Sequence, residues 1–237
     1  MRQLSTATNL TQQVAAAVRD AIGSGELRTG DLYSVQQIAD RLDVSRTPVR
    51  EALLGLADAG LVRFERNRGF RVIRHDPHQI AEIFAMRILL EVPSARVAPA
   101  TSELATALEA EFASMREAAA AHDEPRFMAH DRTFHELVLA GAGNRTLLQT
   151  VDGLRDSILA VRASTVDASR SLAQVADEHE PIITAARAGH AAGMARALAD
   201  HLERTGRLLL AQAVAETGIV AERTDEALID AALAAVR

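Results

Sequence analysis

Only one stretch of this 237-residue chain alternates as a pair of strands does, and helical periods surround it. Leu61-Val62-Arg63-Phe64-Glu65-Arg66 and Phe70-Arg71-Val72-Ile73 flank Asn67-Arg68-Gly69, the composition of a hairpin turn. Three helix patterns precede it. Leu10 to Ile22 sets Val14, Val18 and Ile22 on one face and ends at Gly23-Ser24-Gly25. A turn-rich connection, Leu27 to Tyr33, leads to a short helix from Val35 to Leu42 that Ser34 can cap. After a tight turn at Asp43-Val44, a third helix takes Ser45 or Thr47 as cap and Pro48 in its first turn, where no intrahelical N–H is lost. Its apolar face is Val49, Ala52, Leu53 and Leu56, and Gly60 stops it. Helix, helix, turn, helix, hairpin is the order of a winged helix-turn-helix.

Charge follows the same division. Residues 1–74 carry 11 Arg against 8 acidic residues, whereas residues 75–237 carry 15 Arg against 24. A basic N-terminal module on an acidic body suits a first part that meets a polyanion. In a winged module the second helix of the pair enters the major groove with its N-terminal residues at the base edges. Those residues are Ser45, Arg46, Thr47 and Arg50, and Gln36 on the preceding helix is a further candidate. Arg46 and Arg50 stand one turn apart, and Arg is the usual bidentate partner of guanine. The wing tip Asn67-Arg68-Gly69 is suited to the backbone or minor groove, with Gly69 allowing close approach.

The string Val44-Ser45-Arg46-Thr47-Pro48-Val49-Arg50-Glu51-Ala52-Leu53, with Gly60-Leu61-Val62 and Asn67-Arg68-Gly69, resembles the GntR family of bacterial transcription regulators. The resemblance spans about 60 residues with the elements in family order. It implies an inverted-repeat operator bound by a homodimer, with GT and AC steps in the half-sites.

Beyond His75-Asp76-Pro77 the pattern is helical throughout, and β-branched alternation never persists. Helices are expected at about 77–99 with a kink at Pro93, 102–121, 124–140, 144–165, 168–188 and 190–217. The fold expected is therefore mainly α: a winged helix-turn-helix with a small β-hairpin wing at 1–74, a linker at 75–79, and an all-α bundle at 80–217. A helical tail at 218–237 could pack on the bundle, join a dimer contact or stay loose.

Histidine placement marks the bundle. Asp131 and His135 are i, i+4 on one helix and project from one face, while His179 and His201 lie on the fifth and sixth helices. His130 points about 100° away from Asp131 and cannot share its site. One carboxylate and three imidazoles could converge on a divalent cation, zinc foremost, with nickel, manganese or iron also suited. There is no cysteine, so a thiolate site is excluded. His75, His78, His122 and His190 read as surface or linker residues.

Met86-Arg87 with Glu91, Asp131-Arg132-Thr133-Phe134-His135, Asn144 with Leu147-Leu148, Glu178-His179 and His201-Leu202 resemble the FCD effector domain of the FadR subfamily. That resemblance implies a metal on Asp131, His135, His179 and His201, and a small organic acid effector bound with its help. Arg87 and Arg155 match basic positions that line the family's cavity, which would bind an effector carboxylate. For Arg87 an ion pair with Glu91 at i, i+4 is the competing reading.

The function expected is a ligand-responsive regulator, a repressor more in keeping with the family than an activator. Two other classes stay open: a metal-dependent hydrolase fused to a DNA-binding module, and a constitutive DNA-binding factor with a structural metal. The hydrolase needs a general base. Glu136 and Glu178 adjoin ligands in sequence but point elsewhere on continuous helices. No run of 18 apolar residues and no apolar N-terminal core appear, so a cytoplasmic protein without membrane contact is expected. Aromatic residues are 3%, too few for the stacking platforms of single-strand binding.

Overall fold

The computed structural model describes residues 5–58, 61–66, 68–73, 77–158, 171–217 and 223–237. Gly60, Asn67, His75 and Asp76, the expected helix ends between 159 and 170, and the start of the tail lie outside the described residues. The chain divides into two compact units, Met1–Arg74 with Arg155–Ser164, and His75–Leu154 with Thr165–Arg237.

The first unit begins with α1 (Ser5–Gly23), which starts earlier than its apolar spacing suggests, followed by β1 (Leu32–Tyr33). Then come α2 (Val35–Leu42), α3 (Arg46–Asp58), β2 (Val62–Glu65) and β3 (Gly69–Val72). Ser34 and Gln37 form a reciprocal capping box on α2: Ser34 Oγ accepts from Gln37 N at 3.1 Å, and Gln37 Oε1 accepts from Ser34 N at 2.7 Å. Asp43 closes α2 in the left-handed region at φ 51°, which turns the chain sharply into α3. Val14, Val18 and Ile22 of α1 meet Val49, Leu53 and Leu56 of α3 in one core with Ile38, Val62 and Phe70. Each fully buried side chain of this size contributes about 1.5–3 kcal/mol.

The wing has three strands rather than two, in the order β1-β3-β2, all antiparallel. The segment read as turn up to Tyr33 supplies the third strand, pairing Tyr33 with Phe70. This accounts for Gly69. Its φ is +122°, and a Cβ there would collide with the carbonyl of Tyr33. Gly69 is thus required by β1, whatever its part at a sugar-phosphate chain.

The second unit comprises α4 (Pro77–Val97), α5 (Ser102–Ala120), α6 (Glu124–Ala140), α7 (Arg145–Ser157), α8 (Leu172–Asp177), α9 (Glu180–Arg187), α10 (Ala191–Thr217) and α11 (Arg223–Val236), with the last residues of α7 grouped in the first unit. α4 starts inside the expected linker and continues through Pro93, which sits on its exposed side. α5 packs on α6, α8 and α9, and α9 packs on α10. α4 is held between α10 and α11. Gly206 on α10 brings α4 close, since a Cβ there would lie 2.8 Å from the Phe84 ring. The tail takes the first of its three expected courses: α11 buries Ile229, Ala232, Leu233 and Val236, and His78 Nδ1 lies 2.6 Å from the buried Asp225. His78 is exposed, as expected, and pairs with Asp225 from the surface.

The expected helix at 168–188 is broken. α8 ends at Asp177 and α9 starts at Glu180, because Pro181 has no N–H to donate back and is accommodated in the first turn of a new helix. The break falls on Glu178 and His179.

Candidate metal centre and nucleic-acid interface

His179 owes its orientation to that break. It stands at the N-cap position of α9 and its ring folds back on the end of α8. Nδ1 donates to the carbonyls of Val175 at 3.0 Å and Ala176 at 3.3 Å, in the last turn of α8. With Nδ1 carrying the proton, Nε2 presents a lone pair. That atom is buried, makes no hydrogen bond, and lies 3.3 Å from Oδ1 of Asp131, a second acceptor. Two acceptors facing each other away from water call for a cation between them.

The other ligand candidates meet there. His135, His179 and His201 bring ligand atoms within 4.8 Å of one another, from α6, the α8–α9 break and α10. The ring centroids are 5.5 Å apart for His135–His179, 5.3 Å for His135–His201 and 4.5 Å for His179–His201. All three and Asp131 are buried, and Phe134 packs edge-on against His179. This donor set fits a divalent metal ion of borderline softness. His130 turns the other way, to Glu111 at 2.7 Å.

Carboxylates beyond the four expected ligands also reach the cluster. Glu178 Oε2 lies 3.2 Å from His201 Nδ1. The expectation that Glu178 points elsewhere assumed an unbroken helix, and Pro181 overturns it. Glu91 is fully buried on α4, with Oε2 3.3 Å from His135 Nδ1 and Oε1 accepting from Arg87 Nε at 2.6 Å. Arg87 is therefore one carboxylate away from His135, and its guanidinium stands over the Phe84 ring. The ion pair weighed in the sequence is present, through Nε. Arg155 is buried in the last turn of α7 and falls in the first unit. Glu178 and His201 also line a cleft of about 640 Å³ with Gln174, Arg196 and Arg204.

In the first unit Ser45, Arg46, Thr47 and Arg50 are all exposed at the start of α3. Arg46 Nε donates to Gln36 Oε1, and Gln36 Nε2 donates to Asp40 at 2.5 Å. The Nη edge of Arg46 remains available for a base. In the wing, exposed Arg68 lies 3.5 Å from Glu65, which also accepts from Arg71 Nε at 2.6 Å. That hydrogen bond holds the Glu65 carboxyl below its usual range.

Two family models match the chain: the gntR family of bacterial regulatory proteins over residues 10–72, and the FCD domain over residues 82–204. The chain belongs to the GntR family of transcription regulators. It is 31% identical over 204 residues to the "Probable D-xylose utilization operon transcriptional repressor" of Paenarthrobacter nicotinovorans, covering 84% of this chain and 90% of that protein. It is 28% identical over 202 residues to the gluconate operon transcriptional repressor of Bacillus subtilis, covering 81% of each. Among solved structures, a GntR protein from Rhodococcus sp. RHA1 superposes with a TM-score of 0.72 at 27% identity, over 85% of this chain and 97% of that one. McbR/YncC of E. coli shares the fold, with a TM-score of 0.74 at 21% identity over 86% and 98%. As a GntR-family protein the chain is a DNA-binding regulator and not an enzyme. Among the described residues no helix is long and apolar enough to cross a membrane.

Proposed function

We propose that this GntR protein is a repressor that binds an inverted-repeat operator as a homodimer and releases it when a small carboxylic or sugar acid binds at a metal in its helical unit. The observation that carries this reading is the buried Asp131–His179 contact within the three-histidine cluster, one carboxylate from Arg87. Asp131, His135, His179 and His201 would hold a divalent ion, zinc foremost. Bound there, the ion supplies a Lewis-acidic centre for a carboxylate or hydroxyl oxygen. The Nη edge of Arg87 would take an anionic oxygen of the same ligand. A charged guanidinium in the interior costs free energy unless anions meet it, and Glu91 meets it at Nε. The relatives named for D-xylose and gluconate operons support a sugar or sugar acid as the ligand class.

Arg46 and Arg50 would read guanine, with Ser45 and Thr47 at the phosphates and Arg68 at the wing tip. Two-fold protein symmetry mirrors operator symmetry. The acid relieves repression only if it prefers the arrangement of winged modules that fits the operator poorly; tight binding alone shifts nothing.

In vitro selection from random duplexes tests the reading. The expected outcome is an inverted repeat bound by two chains, with affinity lowered by at least one acid of a sugar-acid panel. Selection of a single unrepeated half-site, or an operator affinity that no acid changes, would contradict it.

A further inference from the structure

Glu91 has no role in the functional scheme so far beyond neutralising Arg87. Its position says more. It is 0% exposed, and a carboxylate buried that deeply is unfavourable unless charge and hydrogen bonds compensate it. The pair with Arg87 at 2.6 Å supplies the charge and uses one oxygen. The other oxygen faces Nδ1 of His135 at 3.3 Å. A carboxylate can only accept, so this contact favours the imidazole form that carries its proton on Nδ1. Nε2 is then the atom left to coordinate.

We infer that Glu91 is a positioning residue of the metal centre: it holds His135 with Nε2 turned to the metal, and ties that imidazole to Arg87. His179 obtains the same orientation from the Val175 and Ala176 carbonyls at the end of α8. His135 lies mid-helix on α6, where the backbone carbonyls are already engaged, so its Nδ1 needs a side chain from a neighbouring helix. α4 supplies it, and Gly206 keeps α4 close to α10, which carries His201. Arg87 and Glu91 are i, i+4 on α4, so one helix presents an anion-binding guanidinium and a ligand-orienting carboxylate in a fixed relation.

This inference rests on the metal reading above, and zinc titration of the full-length protein separates the two. Outer-shell changes of this kind weaken metal binding about 10–100-fold. Wild type is expected to bind one zinc per chain, and Glu91→Gln to bind it at least tenfold more weakly. Glu91→Gln leaves a buried guanidinium without its counter-charge, so the double variant Arg87→Met/Glu91→Leu, which removes both charges, guards against a folding effect. It too should be folded and weak for zinc. Glu111→Gln, which alters the carboxylate on His130, should titrate as wild type. Nitrogen-15 NMR of histidine-labelled, metal-free protein supplies an independent readout. His135 should carry its proton on Nδ1 in wild type and lose that preference in the double variant. Wild-type zinc affinity in both Glu91 variants, or a His135 protonated on Nε2 in wild type, would overturn the role of Glu91 alone. Absence of zinc binding by wild type would overturn the metal reading and this inference together.

Discussion

Nε2 of His179 and Oδ1 of Asp131 lie 3.3 Å apart in the interior of the helical unit. In the neutral imidazole, with its proton held on Nδ1 by α8 carbonyls, Nε2 is an acceptor like Oδ1. Asp131 and His179 would be ligands of a divalent ion at this cluster, and the ion would offset the burial of the carboxylate. Replacing His179 by Ala should therefore lower the metal content of purified protein several-fold, whereas His190→Ala, at an exposed position, should leave it unchanged. Elemental analysis of the two variants decides this. Equal metal in both would remove His179 from the site.

Arg46 is held by Gln36 through Nε and is exposed at the start of α3. A bidentate guanine contact discriminates by about 1–3 kcal/mol. Arg46→Ala should abolish preference for the operator over random duplex, with the helical unit still folded. Gln36→Ala should have a smaller effect in the same direction. Competition binding at fixed salt measures both, and retained selectivity in Arg46→Ala would contradict the assignment.

Gly69 faces the Tyr33 carbonyl at positive φ. Gly69→Ala should cost about 1–3 kcal/mol through backbone strain. Tyr33 is the only tyrosine and there is no tryptophan, so intrinsic fluorescence in a urea titration reports on the wing. An unchanged midpoint would mean that the β1 pairing is absent in solution.

Acid should loosen the wing in a defined window. The hydrogen bond from Arg71 lowers the Glu65 carboxyl below its unfolded value of about 4.3. A depressed carboxyl stabilises the fold fully above the unfolded value, and that contribution is lost as pH falls through the folded one. Tyr33 fluorescence should therefore hold down to about pH 5 and change below about pH 4. Glu65→Gln should remove that acid-side dependence. The same acid transition in Glu65→Gln would assign it to another group.

Much of this was legible in the sequence because each signal was local. The capping box at Ser34 and Gln37, the spacing of Val14, Val18 and Ile22, and the alternation around Gly69 each lie within a few residues. Asp131 and His135 share a face because i, i+4 demands it. The remainder depended on partners distant in the chain. Leu32-Tyr33 becomes a strand only because β3 is beside it, and α11 finds its place only against α4. Pro181 was a visible breaker, and giving it its usual weight would have split the expected 168–188 helix and turned Glu178 toward His201. Glu91 carried no signal for its second contact, since the sequence shows the i, i+4 spacing to Arg87 but not which helix faces it.

The most direct test of the account is a thermal-shift screen of the pure protein against a panel of sugar acids and small carboxylic acids, with and without prior chelation. A ligand at 100 times its dissociation constant stabilises the folded state by about 2.7 kcal/mol. For a chain of this size that raises the melting temperature by roughly 5–10 °C. The account predicts at least one acid that does so and whose effect disappears after chelation. An acid that stabilises the chelated protein equally, or a melting temperature that neither acids nor chelation alter, would contradict it.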